Sequence, residues 1–196
     1  MMKRILIALL FVFSCIGAMA QNANEHLKFM GIPINGTLES FSQKLVAKGM
    51  KRQFGTRNMG FVRGTFAGKD NCNIYIQRIN SRNVVFRVVV CLPSRNMWEW
   101  LENDYTEFKA MLTSKYGEPK SCSESFKEGA STYDNSSKMI ATQCGKCDYY
   151  ASWQTDGGVI ELEIFKPDGE LECFVRLQYF DRINYKLAED SKQNDL

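Results

Sequence analysis

Cys144-Gly145-Lys146-Cys147 is the sharpest chemical spacing in the chain. A thiol-disulfide relay built on such a pair needs its first cysteine at a helix N-terminus, where the dipole lowers the thiol pKa. Here Met139-Ile140-Ala141-Thr142 precedes the pair and Asp148-Tyr149-Tyr150-Ala151 follows it, which reads as two strands around a hairpin turn. That setting points to a structural disulfide or to idle thiols, with redox chemistry as the alternative. A zinc ribbon requires a second pair at matching spacing, and the sequence has none.

Other reactive residues are sparse. Cys72 and Cys91 lie at the outer ends of two candidate strands joined by residues 80–83, so a direct hairpin register sets them opposite one another as a second candidate disulfide. Cys122 and Cys173 have no local guide. His26 is the only histidine, which removes histidine metal clusters and nearly all imidazole acid–base chemistry. Phosphate-cradling loops, calcium loops and nucleophile elbows are missing from the sequence. Glu161 with Glu163, and Glu170 with Glu172, alternate with apolar neighbours. That is the pattern of a solvated sheet face rather than of a glycosidase pair. Trp98 and Trp100 stand two apart on a helix, so they cannot share one stripe and one of them faces out. They are the candidate binding residues, with a satellite core as the competing role, and the sheet face is the alternative contact surface to this helix edge.

The elements that position these residues follow from periodicity. Residues 26–33 read as a short edge strand stopped by Pro33, and Thr37 caps a helix whose Leu38, Phe41, Leu45 and Val46 share a face up to Gly49. Strands are expected at 61–67, 72–79 and 84–92; the last is apolar on both sides except at Arg87, as a central strand would be. A second helix spans 97–116, capped by Ser94 or Asn96 and ended by Gly117 before Pro119. Further strands are expected at 138–143, 148–154, 159–165 and 171–180, after a polar stretch with room for one short strand at most. The class is α+β: an antiparallel sheet covered on one face by two helices, with a candidate tandem repeat of helix plus three strands at 37–92 and 96–180.

Residues 1–20 form a secretory leader: Lys3 and Arg4, an apolar run, then Ala18-Met19-Ala20. A lipid anchor at Cys15 is the alternative. The run is too short for a membrane span, and the stretch beyond it holds no apolar run of spanning length. Two of the 25 basic residues fall in the leader, which leaves 23 against 22 acidic ones and a net charge of +1 instead of +3. Such a near-neutral chain supplies no strong field for gathering nucleic acid or an anionic membrane. A single domain over 21–183 and a polar tail over 184–196 complete the organisation.

Phe29-Met30-Gly31-Ile32-Pro33-Ile34, with Gly36-Thr37, resembles the opening of small uncharacterised secreted proteins of gut bacteria, and Lys115-Tyr116-Gly117 before Pro119 is similar to that group. The twofold order of helix and strands resembles the β-lactamase-inhibitor-protein-like architecture, whose members mostly bind other proteins or the envelope. The first likeness covers about ten residues; the second is an order of elements. With no functional residue to carry over, the export leader, the missing catalytic constellations and the exposed aromatics point to a secreted or periplasmic, non-enzymatic binding protein without cofactor or metal, whose partner is an envelope or extracellular protein. A carrier of a small apolar ligand is the alternative, and a thiol-disulfide protein using Cys144 and Cys147 is a further one.

Overall fold

The computed structural model describes residues 25–193; the leader, Cys15 and the last three residues lie outside them. Lys28–Phe29 (β1) and Ile32–Pro33 (β2) form a small hairpin, closed by Met30 and Gly31 at positive φ, where one longer edge strand was expected. Leu38–Ala47 (α1) follows, with Thr37 Oγ1 accepting from the Ser40 N–H at 3.2 Å as its cap. Then come Lys51–Arg52 (β3), Met59–Phe66 (β4), Lys69–Ile79 (β5) and Val84–Cys91 (β6).

The second half repeats this plan. Trp98–Tyr116 (α2) leads into Ser121–Phe126 (β7), Asn135–Gln143 (α3), Cys147–Thr155 (β8), Gly158–Phe165 (β9), Phe174–Asp181 (β10) and Arg182–Gln193 (α4). Met97 stands at the α2 cap without a side-chain bond, in place of the expected Ser94 or Asn96. The eight-stranded antiparallel sheet runs β3-β4-β5-β6-β10-β9-β8-β7. Each helix therefore precedes a meander, and the two meanders meet last strand to last strand. Each has four strands rather than three.

Two expectations are corrected outright. Residues 138–143 are helical, not a strand, because Asp134 and Ser137 close a capping box that starts α3. The expected polar tail at 184–196 is mostly α4. Its first turn is held by Asp181, which accepts the Asn184 N–H at 2.8 Å, and by Asn184, which donates to the carbonyls of Ile34 and Val85.

Helices α1 and α2 cover one sheet face, and the core fills the layer between: Phe41 and Leu45 from α1, Leu101, Tyr105 and Phe108 from α2, and Ile74, Ile76 and Leu162 from the strands. Phe29 of the β1–β2 hairpin stacks on Phe66 at 5.4 Å, and Phe66 stacks on Phe108 at 6.0 Å, which ties the hairpin to both repeats. Buried Asp104 pairs with Arg95 at 2.6 Å and Lys69 at 3.0 Å, fastening α2 to β5. No described helix is long and apolar enough to cross a membrane.

Candidate functional site: the open face of the sheet

The opposite face of the sheet carries no α1 or α2. One irregularity decides what it displays. In β6, Phe86 is an extra residue: Arg78 pairs with Val85, but Gln77 pairs with Arg87. Without this bulge Arg87 would lie opposite Ile76, inside the core. The bulge turns it to the open side and returns Val88 and Val90 to the core.

Register then sets the open face in three rows. The first is Arg63, Asn73, Cys91, Arg176, Glu163, Tyr150; the second is Phe61, Tyr75, Val89, Gln178, Glu161, Ser152. The third is Met59, Gln77, Arg87, Phe180, Val159, Gln154. Phe61 and Tyr75 stack at 4.8 Å. Arg176 lies 3.3 Å over the Phe165 ring and donates to Glu163 at 2.9 Å through Nε. Gln178 bridges the two halves: its amide N–H groups donate to Glu161 at 3.1 Å and Glu163 at 2.9 Å, and its carbonyl accepts from Arg87. Arg87 donates also to Gln77 at 3.3 Å and sits 4.7 Å over Phe180.

The halves differ electrically. In the three rows the acidic side chains, Glu161 and Glu163, both belong to β9, whereas the β4–β6 half shows Arg63 and Arg87 and no carboxylate. Neither of these arginines has an ion-pair partner among the described residues. Arg87 Nε and Asn73 Oδ1 are buried without a hydrogen-bond partner. Burial, with the Arg176 charge nearby, holds the Arg87 guanidinium below its usual pKa. Burial and then Glu163 push the Glu161 carboxyl up.

The β9–β10 hairpin and the 92–94 connection wall this face into a cleft of about 810 Å³. At the other end α4 leans over it, with Tyr185 against Phe180 at 5.5 Å and Phe86 at 6.1 Å. A second cleft of about 730 Å³ lies between α4 and the sheet.

Trp98 and Trp100 are not brought together. Trp98 is 1% exposed, packed at 5.1 Å against both Phe126 and Tyr149, whereas Trp100 is 52% exposed on the far side of α2. Trp153 is a core residue whose Nε1 donates to the Gly117 carbonyl at 2.9 Å. All six described cysteines are free thiols. The bulge sets Asn73, not Cys72, opposite Cys91, so Cys72 faces the core and Cys91 the open cleft. Cys144 ends α3 exposed, while Cys147 begins β8 packed against the core. Cys144 therefore sits at a helix C-terminus, the wrong end for a thiolate, and burial pushes the Cys147 thiol up to about 11.

His26 Nδ1 lies 3.0 Å from the fully buried Asp181 carboxylate, but Asn35 Nδ2, at 2.8 Å, occupies its other nitrogen in place of a nucleophile. Among the described residues no three His, Cys, Asp or Glu side chains are grouped to hold a metal.

Searches against protein-family models, curated proteins and solved structures returned no match to this chain. What fold and face define is a class by architecture: an α+β protein with two helix-led meanders in one sheet, and a second sheet face that α4 covers at one end.

Proposed function

We propose that the protein is an exported, non-enzymatic binding protein that docks a protein partner on the open face of its sheet. The observation that carries this reading is the composition of that face. Stacked Phe61 and Tyr75, Val89, and Arg63 and Arg87, neither of them in an ion pair among the described residues, stand in register on rigid strands, with α4 leaning over the Phe86 and Phe180 end. Rigid aromatic and arginine anchors on a preformed surface are what a protein interface uses for affinity. Export rests on the Lys3-to-Ala20 leader pattern.

Pull-down of envelope or culture proteins on the immobilised chain tests it. Wild type and Trp100→Ala retain the same partner, and Tyr75→Ala loses it. Loss with Trp100→Ala and retention with Tyr75→Ala moves the interface to α2 and defeats the reading. A second reading, carriage of a small apolar ligand, is favoured by the cleft under α4, whose floor is Val159 and Phe180 and whose roof is Tyr185. Saturable uptake of an environment-sensitive apolar dye, lost in Phe180→Ser, supports that reading; no uptake ends it.

A further inference from the structure

We propose that the occupant of the open face is an acidic segment of another protein, carrying two carboxylates on either side of an apolar side chain, seated on Arg63, Tyr75 and Arg87. The proposal rests on the docking reading above and narrows it to one partner chemistry.

Two observations define that chemistry. Arg176 is matched by Glu163, and Lys69, Arg95, Lys109 and Arg52 are each matched by a carboxylate elsewhere. Arg63 and Arg87, the cations of the β4–β6 half of the face, are matched by none. Arg87 is also pre-organised. Gln77 and Gln178 take one N–H from each of its terminal nitrogens and Phe180 lies under it, so the planar fork is fixed by neutral oxygens, while Glu161 and Glu163 act on its charge from β9 without forming an ion pair with it. A guanidinium held in that state is built to receive an anionic acceptor such as a carboxylate, which returns charge as well as hydrogen bonds. Gln178 keeps the chain's own carboxylates on β9, since its amide nitrogen engages both Glu161 and Glu163.

Spacing defines the size of the occupant. Arg63 and Arg87 are two rows and two strands apart. At roughly 3.3 Å per residue and 4.8 Å per strand that is roughly 13 Å along the strands and 10 Å across them. One small carboxylate cannot reach both. The middle row between them is Phe61, Tyr75 and Val89, so a chain bridging the two cations lays apolar contact on the stacked rings. An extended or helical peptide of alternating acidic and apolar character fits this, and the aromatic floor sets it apart from a purely anionic polymer.

The test is selection of a randomised peptide display library on the full chain, then equilibrium binding of the enriched peptides by fluorescence anisotropy. Enriched peptides carry two Asp or Glu residues around an aromatic or aliphatic one; Arg63→Gln and Arg87→Gln each weaken them at least fivefold, and raised salt weakens them further. Trp100→Ala leaves them unchanged, and thermal melts confirm that the variants fold. Enrichment of non-acidic peptides that Tyr75→Ala abolishes overturns the acidic assignment and leaves docking on this face standing. Enrichment that ignores Tyr75, Arg63 and Arg87, or no enrichment, overturns both. A concentration-dependent dimer in sedimentation, lost in the Arg63→Gln/Arg87→Gln variant, assigns the face to a second copy and also overturns the proposal.

Discussion

Asp181→Asn is the substitution whose cost follows most directly from geometry. The carboxylate is fully buried and accepts the Leu27 N–H at 2.9 Å and the Asn184 N–H at 2.8 Å while facing His26 Nδ1 at 3.0 Å. It thereby pins the start of the β1–β2 hairpin and the first turn of α4 to the end of β10. An asparagine keeps one oxygen, so one of the two backbone donors meets an NH₂ group instead of an acceptor. A buried donor left unpaired costs about 1–3 kcal/mol, and the lost charge-assisted bond adds to it. The sum is about 3 kcal/mol, which for a domain of this size lowers Tm by about 6–12 °C. His26→Ala leaves both backbone bonds in place and costs about 1 kcal/mol. Urea and thermal unfolding followed by circular dichroism measure both. An Asp181→Asn cost below about 1 kcal/mol, or a His26→Ala cost larger than it, refutes the idea that this carboxylate is the clamp.

Trp98→Ala costs about 3–5 kcal/mol in unfolding free energy, and Trp100→Ala stays within about 0.5 kcal/mol of wild type, since only the first leaves a cavity. Of the cysteines beyond residue 20, the exposed Cys122 and Cys144 react with Ellman's reagent at pH 7.5 in the native protein. Cys72, Cys91 and Cys147, pushed up to about 11 by burial, wait for denaturant. Fast modification of Cys147 would contradict its packing. Burial and Glu163 raise the Glu161 carboxyl, so the folded state favours its protonated form, and stability falls as pH rises from the ordinary carboxylate range through the raised one. Glu161→Gln removes that loss: its stability relative to wild type increases from pH 4 to pH 7, as urea midpoints at the two pH values read out.

The helices α1 and α2 and the strands β4, β5, β8 and β9 were legible because each has a 3.6- or 2-residue apolar period over most of its length, and β6 because it is a short continuous apolar run. Residues 138–143 mix Lys138, Thr142 and Gln143 with Met139, Ile140 and Ala141, a pattern that suits either element; the capping pair Asp134 and Ser137 was the deciding signal. Asp181 and Asn184 announce α4 in the same way, inside a segment polar enough to pass for a tail. The Phe86 bulge had no local mark, since the run from Val84 to Val90 is apolar in either register apart from Arg87. Arg87 was nevertheless the visible clue to the face: a lone cation in a central strand has to be turned somewhere it can stay charged. The two-residue spacing of Trp98 and Trp100 made one buried and one exposed ring legible, whereas the make-up of the open face depends on long-range strand pairing that no local pattern shows. The paired-cysteine readings failed on one residue of register and on one misassigned helix.

Photo-crosslinking gives the most direct measurement of whether the open face is the docking surface. With p-benzoylphenylalanine in place of Tyr75, irradiation of the envelope fraction yields one discrete adduct, which the same probe at Trp100 does not give. An adduct from the Trp100 position alone, or none from Tyr75 while the protein remains folded, contradicts it.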